Sequence, residues 1–111
     1  MLHSDRTRIQ HMIDAAKEAV SFAVGKTRSD LDNDRMLVLS VIKEIEIIGE
    51  AASKISKEMF EEYPDIPWTD IVGMRNHLVH GYFEVDLDLV WNTLQEDLPL
   101  LINLLSELIK R

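Results

Sequence analysis

Cysteine is absent from this 111-residue sequence. Thiolate metal ligands, a cysteine nucleophile and a disulfide framework are therefore excluded, and the expected compartment is the reducing cytoplasm. Glycine and proline are scarce, at four and three residues; this is roughly half the usual share, so the chain has few places to turn and is built from a few long elements. No apolar run approaches the roughly 20 residues that span a bilayer. The start, Met1-Leu2-His3-Ser4-Asp5-Arg6, lacks the apolar stretch of a secretory signal, and no membrane contact is expected. Cations are also in short supply, with 12 Lys+Arg against 20 Asp+Glu and a formal net charge of -8. This balance argues against a nucleic-acid binder driven by overall charge, and any phosphate contact must be local.

What is present is a chain of 46% hydrophobic and 29% charged residues, the composition of one globular domain over residues 1–111. Its core is large enough to need no metal or cofactor for stability. Ile9, Met12, Ile13, Ala16, Val20 and Ala23 keep the three-and-four spacing of one helix face, ending at Gly25. Asp30, Asp32 and Asp34 offer capping acids for a second, long helix whose face is Val41, Ile45, Ile48, Ala52 and Ile55. Leu37, Leu39, Ile42 and Ile47 widen that stripe, which predicts contact on two sides and hence a dimer partner. Ser56 to Tyr63 predicts a short helical turn that Pro64 and Pro67 end, with Pro67 opening the next helix. Trp68, Ile71, Val72, Leu78 and Val79 anchor that helix, and Gly81 ends or bends it. From Leu87 to Leu108 an apolar stripe marks the last helix, which Pro99 should kink or split. No alternation is long enough to predict a strand. The fold class expected is all-α, an up-down bundle of about four to five helices that dimerises.

Gly-rich phosphate loops, metal-binding His-Glu-x-x-His helices and Gly-x-Ser-x-Gly elbows are missing, and His3 and His11 show no metal-ligand pattern. One segment concentrates chemistry: Gly73-Met74-Arg75-Asn76-His77-Leu78-Val79-His80-Gly81-Tyr82. His80 suits proton transfer near neutral pH. Arg75 suits a phosphodiester oxygen, with Asn76 as a neutral donor beside it. If the segment is helical throughout, Asn76 and His80 share a face while Arg75 and His80 point apart, so that Arg75 reaches around or a second chain completes the site. The residues alone leave open a plainer reading in which Arg75 pairs with a carboxylate such as Glu50, His80 is satisfied within the bundle and Tyr82 is a core ring. His77 is read as exposed, with a supporting catalytic role as the alternative.

Three stretches carry a resemblance. They are Ile66 to Phe83 with its Arg75-x4-His80-x-Tyr82 arrangement, Ile47-Ile48-Gly49-Glu50-Ala51-Ala52, and Val85-Asp86-Leu87-Asp88-Leu89-Val90-Trp91. Together they closely resemble the HepT family of HEPN-domain proteins over nearly the whole chain. The resemblance implies a helical homodimer with the Arg-x4-His segments of two subunits at one shared groove. It further implies the toxin of a toxin-antitoxin pair, a metal-independent endoribonuclease needing no cofactor, in which Arg75 and His80 carry the cleavage of RNA. The cognate antitoxin implied is a minimal nucleotidyltransferase that transfers AMP from ATP onto Tyr82, placing negative phosphates beside the site. An alternative is a catalytically silent HEPN module that partners the nucleotidyltransferase, and a third is a dimeric helical scaffold. For the RNA groove, Arg6, Arg8, Lys17, Lys26, Arg28 and Arg35 are the cations available before residue 36, although each one taken singly reads first as part of a solvated face.

Overall fold

The computed structural model describes residues 1–81 and 84–111. Ile9, Met12, Ile13 and Ala16 are buried on one face of α1 (His3–Phe22), as the periodicity predicts, with Ala19 buried beside them and Val20 only half-buried. The helix begins six residues before its first buried apolar side chain. Its opening is held by Asp5, which is 2% exposed. The Asp5 carboxylate accepts from the Ser56 backbone N–H at 2.9 Å and from the Ser56 hydroxyl at 2.6 Å. Ser56 in turn caps α4 (Lys57–Glu62), its hydroxyl accepting from the Met59 N–H. One carboxylate thus joins the start of α1 to the start of α4, and among the described residues no buried side-chain nitrogen or oxygen lacks a partner.

The acids predicted to open the second helix divide their roles. Asp34 caps α3 (Arg35–Ser53) by accepting from the Leu37 N–H at 3.0 Å. Asp30 accepts from the Thr27 N–H ahead of the short α2 (Asp30–Asn33), and Asp32 pairs with Arg28. Of the four residues expected to widen the α3 stripe, Leu37 and Ile42 are buried in the chain's own core, whereas Leu39 and Ile47 are exposed. Helices α1 and α3 run antiparallel, since Asp5 meets Ser56 at one end and Glu44 lies against Glu18 further along. Helix α8 (Leu98–Ile109) covers α1, and Arg6 donates to the Ile109 carbonyl at 2.9 Å, satisfying an end of α8 where cations are favoured.

After the connector around Pro64, Pro67 caps α5 (Trp68–Val72) rather than being its first residue. Trp68 is a core side chain whose ring nitrogen donates to the Tyr63 carbonyl at 3.0 Å, and it stands 5.3 Å from the Phe60 ring. Helix α5 crosses α3 at Gly49. A Cβ there would stand 3.1 Å from the Val72 carbonyl oxygen and 3.6 Å from that of Ile71, so the two backbones meet where only glycine leaves room.

Gly73 interrupts the predicted helix, which resumes as α6 (Met74–Leu78) and then ends three residues before Gly81. Val79–His80 (β1) pairs antiparallel with Glu84–Val85 (β2), Val79 opposite Val85 and His80 opposite Glu84. This two-stranded ribbon is a correction to the strandless expectation. Val79 is β-branched and 7% exposed, and the Asp86 N–H donates to the Leu78 carbonyl at 2.8 Å, extending the pairing past the helix end. Asp86 also caps α7 (Leu87–Asn92) through the Leu89 N–H.

Pro99 does split the last helix, but the irregularity lies before it. A π turn over Thr93–Asp97 separates α7 from α8, and Pro99 falls in the first turn of α8. A proline there has no N–H for the carbonyl four residues back and its ring crowds that carbonyl, so the widened turn absorbs the mismatch. The molecule is helical apart from the ribbon and the connectors. Among the described residues no helix is long and apolar enough to cross a membrane.

Three stability outcomes follow from these contacts. Asp5→Ala leaves two donors of Ser56 unpaired and should lower unfolding free energy by about 1–3 kcal/mol, read as a lower urea midpoint at unchanged slope. Gly49→Val should cost about 1–3 kcal/mol by overpacking against Val72 in the same assay. Glu44, 7% exposed, is held above its usual carboxylate range first by burial and then by the neighbouring Glu18. The folded state therefore binds its proton more tightly than the unfolded chain, and stability present below the unfolded value is lost as pH rises through the folded one. Glu44→Gln should raise the thermal midpoint at neutral pH and give no gain near pH 4; an equal gain at both would show that ionisation is not the cause.

Candidate functional site

Arg75 sits in the first turn of α6, and three residues on from Val72 it reaches back over α3, three residues before Gly49. Its Nε stands 3.4 Å from Glu46 Oε1, with the Arg75 side chain 34% exposed. Its Nη1 donates to Asn76 Oδ1 at 3.5 Å. Glu46 also receives Lys43 at 3.8 Å. Such half-exposed pairs contribute about 0–1 kcal/mol each, so Glu46 sets the direction of the guanidinium more than it stabilises the fold. The contacts to Glu46 and Asn76 occupy only part of a fork with five donors.

Arg75 lines an open groove of about 890 Å³ between α1 and α3. Arg8 and His11 enter it from α1, and Lys43, Glu46, Glu50 and Lys54 from α3. Glu50 therefore shares the groove with Arg75 but pairs with Lys54 at 3.1 Å. The plainer reading offers a carboxylate such as Glu50 as the partner of Arg75; Arg75 does pair with a carboxylate of α3, and it is Glu46, one helical turn earlier. The spacing of Lys43, Glu46, Glu50 and Lys54, at steps of three, four and four, puts two acids between two cations on one helix face, a signal the sequence carried.

The other nominated residues divide around this groove. Asn76 is exposed beside Arg75. His80 is exposed on β1, followed by Gly81 at φ +68°, a conformation that side chains with a Cβ resist. Because α6 ends at Leu78, Asn76 and His80 do not share a helix face, and His80 does not line the Arg75 groove. His77 is exposed, as expected, and borders a second groove of about 320 Å³ with Asp70, Asp97 and the exposed Leu89, Leu100 and Leu104. Tyr82 lies outside the described residues. Trp91 is half-buried against the core, and His3 is exposed. Among the described residues no group of three or more His, Asp or Glu side chains is placed to hold a metal ion.

Of the six cations nominated before residue 36, only Arg8 enters the groove with Arg75. Arg6 is spent on the end of α8, and Arg28 is held between Asp32 and Asp88 at 3.2 and 2.8 Å. Those contacts keep the Arg28 guanidinium above its ordinary value, the Asp88 hydrogen bond being the larger cause. Lys43 and Lys54 were not singled out by the sequence.

The model of the family described as Ribonuclease HepT-like matches residues 12–108. A candidate RNase of Methanocaldococcus jannaschii is 35% identical over 88 residues, covering 79% of this chain and 81% of that protein. A candidate RNase of Caldanaerobacter subterraneus subsp. tengcongensis is 28% identical over 110 residues, covering 99% and 98%. A protein named as a candidate ribonuclease HepT, from Thermococcus cleftensis, is 41% identical over 66 residues, 60% of each chain. No solved structure matches significantly. With a mainly helical chain, a cationic groove at Arg75 and a family match over most of its length, the chain belongs to the HepT-like ribonuclease family.

Proposed function

We propose that this protein is the toxin of a toxin-antitoxin pair, a metal-independent endoribonuclease that works as a homodimer in the cytoplasm. The observation that carries the reading is the Arg75 guanidinium, oriented by Glu46 on an open groove, in a chain of a ribonuclease family. In the reaction the ribose 2′-hydroxyl attacks the adjacent phosphorus and the bond to the 5′-oxygen breaks. The products are a 2′,3′-cyclic phosphate and a 5′-hydroxyl. His80 accepts the 2′-hydroxyl proton or supplies the proton that the leaving oxygen takes up, and Arg75 neutralises the charge that builds on the phosphoryl oxygens. Asn76 adds a neutral donor beside Arg75. Glu50 and His77 are supporting residues at most, since one pairs with Lys54 and the other borders a different groove.

Within one chain His80 does not line the groove that holds Arg75. That supports a composite site in which the second subunit of the dimer brings the imidazole to the guanidinium. The antitoxin is a minimal nucleotidyltransferase that attaches AMP to Tyr82, two residues past His80. The silent-module alternative keeps the partner and the dimer but predicts intact RNA.

The test is expression of wild type, Arg75→Ala and His80→Ala in a bacterial host, with cleavage of total RNA by each purified protein in the presence of a chelator. Wild type should arrest growth and cut RNA, and each substitution should reduce cleavage by about 10²–10⁴-fold while circular dichroism and solution mass stay unchanged. Co-expression with a minimal nucleotidyltransferase of the proposed antitoxin kind should add AMP mass to wild type and not to Tyr82→Phe. RNA equally intact with wild type and His80→Ala, without AMP addition, would leave only the scaffold reading.

A further inference from the structure

The Arg75 groove carries more charge than one cleavage event needs. Arg8, Lys43, Lys54 and Arg75 face two carboxylates, Glu46 and Glu50, giving a local balance of +2 in a chain whose formal net charge is -8. Both carboxylates are engaged by groove cations, Glu46 by Arg75 and Lys43, and Glu50 by Lys54. Arg8 is half-buried in the same groove, and among the described residues no carboxylate pairs with it. His11 stands one turn further along α1.

The distribution is selective. Arg6 and Arg28 are engaged elsewhere, and Lys17 and Lys26 do not line this groove. At about 890 Å³ the groove is at the upper end of ligand-site volumes, which run from about 300 to 1,000 Å³. Its cations come from three elements, Arg8 from α1, Lys43 and Lys54 from α3 and its end, and Arg75 from α6, which fits a run of successive phosphates better than a single anion.

We propose that α1 and α3 form a phosphate track in which Arg8, Lys43 and Lys54 hold the RNA backbone flanking the phosphate that Arg75 contacts. The proposal rests on the ribonuclease reading above. Glu46 and Glu50 keep the cations ordered when no RNA is bound and yield them to phosphates when it is. The exchange is easy because exposed ion pairs contribute little. Contacts of this kind are blind to base identity and depend on salt: for single strands each phosphate neutralised adds about 0.7 to the slope of log affinity against log salt.

The experiment measures binding of a fluorescein-labelled single-stranded oligouridylate by anisotropy over a salt series, in a His80→Ala background that leaves the RNA uncut. Arg8→Gln and Lys43→Gln should each weaken binding several-fold and reduce the salt slope by about 0.7. Glu50→Gln should tighten binding, a sign that structural damage would not produce. Lys17→Gln, exposed on α1 outside the groove, should match the parent. If Arg8→Gln and Lys43→Gln bind like the parent while Arg75→Gln binds weakly, the track is wrong and the ribonuclease reading stands. A change in solution mass on Arg8→Gln, with affinity following it, would show that Arg8 acts by holding the dimer together rather than by contacting phosphate, and would also overturn the track. No binding by the parent or any variant would remove the ribonuclease reading and the track with it.

Discussion

The approach of α5 to α3 at Gly49 is the constraint on which the candidate site depends. With the Val72 carbonyl oxygen only 3.1 Å from where a Cβ would be, the backbone of α5 lies directly on α3. Gly73 then breaks the helix, and α6 leaves the contact with Arg75 one turn beyond Val72. That turn matches the turn between Glu46 and Gly49 on the other helix, and so the guanidinium lands on the Glu46 carboxylate. A bulkier residue at 49 would lift α5 and carry Arg75 away from the groove. Backbone contact, more than the weak ion pair, is what places the cation.

Charge is arranged against the same frame. The acidic excess of the chain lies wholly after residue 35, where six Lys+Arg face fourteen Asp+Glu, yet three of the four groove arginines and lysines also come from that part. A polyanion that approaches this acidic chain meets four cations gathered in the Arg75 groove. Such a field favours a few well-placed contacts over extended wrapping, and it makes modest affinity compatible with selectivity for position along the strand. On the proposed reading Glu46 and Glu50 add to this by holding the cations until phosphates displace them.

Much of the fold was legible because helix periodicity is a local property. The buried faces of α1, α3 and α8 are the ones the apolar spacing marks, and the split caused by Pro99 follows from its missing donor. Less legible were features that a distant partner decides. Asp5 reads as an exposed polar residue until Ser56, 51 positions away, is brought against it. The ribbon at Val79–His80 is two residues long, too short for any alternation, and exists because Asp86 satisfies the Leu78 carbonyl. Of the site, the Arg75 segment was visible as a density of functional side chains and through its resemblance. Residue types leave open which α3 carboxylate meets Arg75, because they do not show how far back Arg75 reaches; it is Glu46 rather than Glu50.

On the proposed reading, phosphate governs both activity and silencing. The groove cations attract the backbone of RNA, which arrives from solution and must supply its own local concentration. AMP attached two residues beyond His80 would offer the same charge from within the molecule, and a short tether gives effective concentrations on the order of millimolar. For a chain with net charge -8 whose affinity for RNA rests on a few cations, a tethered anion has only a small attraction to overcome. An acidic scaffold with a confined cationic groove would thus be easier to silence by covalent phosphate than a uniformly basic nuclease. The charge deficit that argues against indiscriminate RNA binding would then also be what makes control by one modified tyrosine sufficient.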